Sequence, residues 1–312
     1  MSRALILTDG KAGHENQSKA FARALGCDFD LAPVTFKSKI AKSLSYVLDN
    51  LDVLTQHLFT SATPPSSGYS VVIGTGSGTF YAAKTIAKEL GVPCGVVLYP
   101  RGYRIGGFNC ILAPAFDNPK PASNVIKIPV NLVSADATFY SEGVSAFRLR
   151  HPDSGRPAVA VIVGGPNKCS TMTAEWMRTK LKAIFAAHTD ASGDARDGGP
   201  EIWVTTSRRT PPEVESVVDS FPFDYKLLYS RDHFNPIPAF VSLASHLYVT
   251  AESTGMLSEA CSFGNAEVHV LDNLKPGPHK FRRFAESCSM RGKSKADLSS
   301  TFAAAKSLLG FN

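Results

Sequence analysis

"AFRLRHPDSGRP" (146–157), followed at once by "AVAVIVGG" (158–165), is the stretch on which the fold turns. Its first half is charged and carries Gly155 between Pro152 and Pro157, so it interrupts the pattern before it. Its second half is a near-continuous apolar run ending in two glycines, as in a strand buried on both faces. From there strand-like and helical runs alternate afresh: helix 171–188, "EIWVTT" (201–206), helix 211–220, "YKLLYS" (225–230), helix 237–245, "HLYVTA" (246–251), helix 254–263 and "EVHVL" (267–271). An equivalent series precedes the break. There "RALILT" (3–8), "SVVIG" (70–74), "PCGVVLY" (93–99) and "NCILAP" (109–114) read as buried strands, with helices 14–25, 37–58 and 77–90 between them.

Two such series and one short linker imply an α/β protein with two doubly wound, Rossmann-like parallel-sheet domains facing across a cleft. The expected domains are 1–150 and 156–290, and a last helix near 296–309 within 291–312 can pack back on the first. "HTDASGDARDGG" (188–199) reads as a surface loop.

The 312 residues suffice for two cores, and 44% apolar with 19% charged residues is ordinary for a globular protein. A net charge of +6 suits a phosphorylated ligand or an anionic membrane surface and is too dispersed for nucleic acid. No apolar run reaches 18 residues, and "MSRALILTDG" reads as a first strand and not as a signal peptide. Six scattered cysteines without CxxC or Cys/His ligand spacing point to buried thiols in a reducing cytoplasm, and no metal site is expected.

In open parallel sheets ligands gather beyond the carboxyl ends of the strands, so the turns there carry the candidate chemistry. "TDGKAGHENQ" (8–17) presents His14 as a general base on a hydroxyl, with Asp9 and Glu15 as catalytic partners and Lys11 toward an acceptor. A capping loop with an exposed imidazole is the plainer alternative. "GTGSG" (74–78) puts Gly76 and Ser77 at a helix start, with Ser77 as N-cap; Thr79 breaks the dinucleotide fingerprint, and a simple tight turn fits as well. "GGPNK" (164–168) offers Gly164, Gly165 and Lys168 as a phosphate seat before a helix capped by Ser170 or Thr171, without P-loop order.

"TTSRRTPPE" (205–213) places Arg208 and Arg209 at a strand mouth, with Thr210 as N-cap, Pro211 at N1 and Glu213 closing a capping box. "TAESTGMLSEACSFG" (250–264) opens a helix on Ser253, Thr254 and Gly255, whose N–H groups can hold a diphosphate. Glu259, four residues past Gly255, can take the two vicinal hydroxyls of a ribose; pairing with a neighbouring cation is the alternative.

"TDGKAGHENQ", "GGPNK", "TSRRTP" and "TAESTGMLSEACSFG", in that order, resemble the bacterial and plant mitochondrial-fission Elm1-like family over most of the chain. That family in turn looks like the GT-B glycosyltransferases, in particular the enzyme adding N-acetylglucosamine to the peptidoglycan lipid precursor. The resemblance implies inverting, metal-independent transfer from a UDP- or GDP-linked sugar to an envelope glycan or lipid, with no further cofactor. It implies a donor site of Ser253 to Gly255, Gly164, Gly165 and Glu259, with Arg208 or Arg209 on the leaving group and His14 near the acceptor.

The sequence departs from the GT-B pattern at "SGT" (77–79), at Phe116-Asp117 and at Thr250-Ala251-Glu252-Ser253. The first two departures bear on the acceptor and on activity itself. A non-catalytic nucleotide-binding or protein-interaction scaffold is therefore the alternative. The nucleoside-diphosphate-sugar epimerase label is rejected, because none of the nine tyrosines has the lysine four residues on that short-chain epimerases use and the nicotinamide fingerprint fails as well. "FKSKIAKSLSYVLDNL" (36–51), apolar and dotted with lysines, reads first as an ordinary packed helix with a basic edge, and a peripheral contact with an anionic inner membrane is the alternative.

Overall fold

A computed structural model of the protein describes residues 2–62, 68–189 and 199–311; most of the loop expected at 188–199 lies outside them. The chain divides into two compact units, Met1–Ser134 with Asp297–Asn312, and Ala135–Ala296.

The first unit contains β1 (Arg3–Thr8), α1 (Ala12–Leu25), β2 (Asp28–Phe36), α2 (Lys39–Asn50), β3 (Phe59–Ser61), β4 (Val71–Thr75), α3 (Phe80–Leu90), β5 (Cys94–Val97), β6 (Cys110–Pro114) and β7 (Val125–Ile128). Its sheet has the order β3-β2-β1-β4-β5-β6-β7, parallel except for β3, which runs antiparallel to β2. Central strands such as β1 and β4 are buried along both faces, which is why they read as unbroken apolar runs.

The second unit contains α4 (Ala137–Arg150), β8 (Ala158–Ile162), α5 (Ala174–His188), β9 (Glu201–Thr205), α6 (Pro212–Asp219), β10 (Tyr225–Leu227), α7 (Ile237–Leu243), β11 (Ala244–Thr250), α8 (Thr254–Ser262), β12 (Glu267–Leu271) and α9 (Lys280–Ser289). Its five strands are all parallel, in the order β10-β9-β8-β11-β12. The chain then returns to the first unit as α10 (Ser299–Leu309), whose Ala305 and Leu309 share a core with Phe21 and Leu25 of α1.

The boundary falls after Ser134, not at 150. The charged stretch at 146–157 does not end the first unit, because its opening residues are the last turn of α4. Asp136 caps that helix by accepting from the Phe139 N–H at 2.9 Å. Phe147, fully buried, then packs on Trp203, Tyr225 and Phe240 at ring separations of 5.0, 4.7 and 5.8 Å. The burial of this aromatic side chain fixes α4 to the second sheet, and the flanking charges do not prevent it.

Candidate functional site

Both sheets reverse direction at one point, between β1 and β4 in the first unit and between β8 and β11 in the second. Loops leaving the carboxyl ends there diverge to opposite faces and open the crevice typical of such sheets.

In the first unit these loops are 9–11 and 76–79. The Asp9 carboxylate is almost enclosed and lies 3.1 and 3.2 Å from His14 Nδ1, while Lys11 Nζ donates to it at 2.5 Å. Burial opposes its charge, but the Lys11 ammonium and the His14 ring outweigh burial and hold its pKa below the ordinary carboxylate value. An ionised Asp9 accepts from Nδ1–H, and that tautomer leaves His14 Nε2 as a bare acceptor with no partner among the described residues. Glu15 has other partners: it accepts from Thr8 Oγ1 at 3.2 Å and pairs with Lys19 at 2.7 Å, which secures the turn.

The glycines of "GTGSG" serve this pair. A Cβ on Gly76 would stand 2.3 Å from His14 Cε1, and one on Gly78 would stand 2.7 Å from Asp9 Cβ. Gly76 also has φ +82°, a conformation that disfavours a side chain. Ser77 is not the N-cap of α3. Gly76 turns the chain so that Thr79 takes that position, and Ser77 Oγ accepts instead from Lys42 Nζ of α2 at 3.1 Å.

In the second unit the corresponding loops bring together Gly164, Thr250, Glu252 and Ser253. The Gly164 N–H donates to Thr250 Oγ1 at 2.9 Å, and Thr250 Oγ1 donates to Glu252 Oε1 at 3.0 Å. Asn273 Nδ2 completes the cradle at 2.7 Å from Glu252 Oε2. A Cβ on Gly164 would lie 2.1 Å from Glu252 Oε1, and one on Gly165 would lie 2.2 Å from the Arg209 carbonyl oxygen. The double glycine is thus demanded by close internal approach. Glu252 is buried, and burial raises its pKa against its hydrogen bonds and the Arg209 charge. Sequence reasoning met it only as a departure from a pattern; an acid directly before a helix mouth was the available signal.

At that mouth Leu257 N–H already bonds the Ser253 carbonyl, which leaves the N–H groups of Thr254, Gly255 and Met256 without intrahelical acceptors. The expected trio therefore shifts by one residue, because the Ser253 N–H is spent on Thr250 O at 3.2 Å. One turn further, Glu259 is half-buried and accepts from the Tyr140 hydroxyl of α4 at 3.0 Å through Oε1. Burial, only partly offset by this bond, raises its pKa. No lysine or arginine among the described residues pairs with it, so the ion-pair alternative is absent. Its hydrogen-bond partner is thus a neutral hydroxyl and not a cation.

Arg208 and Arg209 are exposed at the mouth of β9. Arg208 lines a groove of about 490 Å³ together with Ser207, Glu215, Tyr229 and Arg231. Thr210 does not cap α6. Its hydroxyl donates to the Gly164 carbonyl at 2.6 Å and so ties the two strand-end loops together, and Pro211 holds the cap position. Lys168 is exposed, and α5 is capped by Thr173, not by Ser170 or Thr171, because Ser170 Oγ is engaged with the Asn167 N–H.

These two units, each a parallel sheet reversing at a switch point, define a GT-B-like protein of two Rossmann-like domains. Residues 12–297 match the model of the family described as mitochondrial fission ELM1, and the chain belongs to that family. Among solved structures it is similar to a UDP-GlcNAc 2-epimerase from Neisseria meningitidis bound to UDP-GlcNAc, with a TM-score of 0.56 and 11% identity over 100% of both chains. The S. aureus MnaA–UDP co-structure follows at 0.51 and 12%, over 100% of this chain and 98% of that one. Acinetobacter baumannii MurG aligns at 0.44 and 11%, over 99% of each. At the identities of the first two the likeness is one of fold. No curated protein matches the sequence. The rejection of an epimerase rests on the short-chain pattern alone, and a UDP-GlcNAc 2-epimerase shares this fold, so the missing tyrosine–lysine pair does not decide against that reaction.

Proposed function

We propose that the protein binds a nucleoside-diphosphate sugar, UDP- or GDP-linked, through its second unit and transfers the sugar, without metal, to a hydroxyl of an envelope glycan or lipid acceptor bound by the first. The observation that carries this reading is Glu259, a half-buried carboxylate with no cation partner among the described residues, one turn beyond three N–H groups without intrahelical acceptors. The amides and the helix dipole suit a diphosphate, and the free Glu259 Oε2 with its hydrogen-bonded neighbour suits ribose hydroxyls. Arg208, Arg209 and Lys168, all exposed, are available to a leaving diphosphate. On the acceptor side His14 Nε2 takes the hydroxyl proton while Asp9 stabilises the imidazolium, with Lys11, Gly76 and Ser77 around it. Attack of the hydroxyl oxygen on the anomeric carbon, with departure of the nucleoside diphosphate, inverts that centre.

A peripheral contact with an anionic membrane belongs to the same reading, because α2, although Ala41, Tyr46 and Leu48 pack on the core, also presents an aliphatic stripe to solvent. It buries Ser45 and Asp49, the latter paired with buried Lys84 at 2.6 Å, and exposes Ile40 (79%), Leu44 (41%), Val47 (55%) and Leu51 (67%) along one stripe. Lys37 and Lys39 at its start are exposed and match anionic headgroups. No helix among the described residues is long and apolar enough to cross a membrane.

Calorimetric titration of UDP, GDP, ADP and CMP without metal tests the donor site. One nucleotide should bind at micromolar Kd and weaken about tenfold or more in Glu259→Ala, roughly 1.4 kcal/mol. Binding of none of them would overturn the reading in favour of a scaffold. Incubation with the matching nucleotide-sugar then separates transfer from epimerisation by the fate of the sugar.

A further inference from the structure

On β12 the residues Glu267 and His269 are two apart and share a face of the sheet. Parallel pairing sets His246 of β11 opposite Glu267 and Tyr248 opposite His269, so both strands present their polar side chains to one patch. His246 Nδ1 and His269 Nε2 face each other at 3.0 Å, and His269 Nε2 is 3.8 Å from Glu267 Oε1. The three ligand atoms all lie within 4.8 Å of one another. Nitrogen and oxygen ligands about 2.0–2.1 Å from a tetrahedral ion stand about 3.3 Å apart, between the two distances seen here.

We infer that His246, Glu267 and His269 form a three-ligand site for a divalent transition-metal ion of the zinc class. Two imidazoles and one carboxylate suit zinc, cobalt or nickel, whereas magnesium and calcium prefer all-oxygen shells. The surroundings are those of a supported site. Tyr248 stacks on the His269 ring at 4.6 Å and shares a hydrogen bond of 2.9 Å with His188 Nε2 at the end of α5. The His188 ring itself lies 5.1 Å from that of His246, so a third imidazole borders the patch. All three ligands are half-buried, which leaves a fourth position open to water.

The site is structural. His246 precedes Thr250 by four residues, about 13 Å along the strand, and so lies toward the amino end of β11, away from Glu252 and the mouth of α8. There the ion adds a side-chain link between edge strand β12 and β11, on the face opposite the buried Val268. Linear spacing hid the site, because its ligands come from two neighbouring strands, with a helix between them in sequence.

The test is calorimetry of the full chain, stripped with EDTA and titrated with ZnCl2 and, separately, MgCl2. The background is Cys169→Ser, since Cys169 is the half-exposed thiol that could bind zinc instead. One zinc should bind per chain, magnesium should not, and His246→Ala and His269→Ala should each weaken zinc at least about tenfold. Zinc should raise Tm in the parent but not in the variants, while cobalt should show the visible bands of a tetrahedral complex. His246→Gln and His269→Gln serve if the alanine variants fail to fold. Zinc binding unchanged by these substitutions, or no binding at all, overturns the site. UDP and GDP titrations of the same variants should match the parent, so the outcome is independent of the donor-site reading.

Discussion

The two switch points share one strand order and differ in almost everything built upon it. In the first unit the loops surround a carboxylate that is kept charged: Asp9 has a lysine and an imidazole on it, and its pKa is lowered. In the second, Glu252 is buried and Glu259 half-buried, with hydroxyl and amide partners, and burial raises the pKa of both. The first arrangement suits moving a proton at an imidazole; the second suits holding a ligand rich in hydroxyls and phosphates. A common topology supplies the crevice, and the side chains decide its chemistry.

The sharpest way to break this contrast is His14→Ala. If the first unit activates the acceptor, sugar transfer should fall about 10²–10⁴-fold while nucleotide affinity in calorimetry stays unchanged. A matching loss of affinity would mean that the two sites do not divide the work in this way. Gly76→Ala should come next. Its Cβ would overlap His14 and adopt φ +82°, so denaturant unfolding should show a loss of about 1–3 kcal/mol together with loss of activity.

The third contrast is in pH dependence. Asp9, with a folded pKa below its ordinary 3.8, binds fewer protons when folded, so its stabilisation is present above that value and is lost as pH falls through the lowered one. Glu252, raised above its ordinary 4.5, binds more protons when folded and loses stability as pH climbs through its raised value. Melting curves between about pH 3 and 8 should therefore shift in opposite senses for Asp9→Asn and Glu252→Gln. The first should lose stability at neutral pH; the second should keep or gain it, by about 1 kcal/mol. In Glu252→Gln, an amide flip of Asn273 turns its Oδ1 atom, which now lacks a partner, toward the N–H of the substituted side chain. The smallest effect on the fold belongs to Ile40→Glu with Leu51→Glu. These should move stability by less than about 0.5 kcal/mol yet abolish cosedimentation with anionic vesicles.

Much of this was legible in the residues. The alternation of apolar strands and helices and the turns at strand ends carry the two-domain organisation, whereas the interruption near 150 misplaced the boundary that falls after Ser134. Strand alternation and loop chemistry are local in sequence, and local signals survive without a structure. Helix starts were placed less well. Ser77, Thr210 and Ser170 are good caps by composition, but each hydroxyl has a stronger claim elsewhere, on Lys42, on the Gly164 carbonyl and on the Asn167 N–H. The glycines of both switch loops looked like ligand-facing residues, and the reason for them is a neighbouring side chain or carbonyl that no linear reading reveals.

The sequence by itself determined the class of fold, the family and the set of turns that hold polar chemistry, because these follow from periodicity and from motifs a few residues long. Only the tertiary structure decided that α4 belongs with the second sheet, since that depends on where Phe147 finds a pocket. It alone joined Asp9 to His14 against Gly76, enclosed Glu252, and turned the aliphatic face of α2 outward. Each of these is set by contacts between residues distant in sequence, where burial and hydrogen bonding, and not local propensity, determine the outcome.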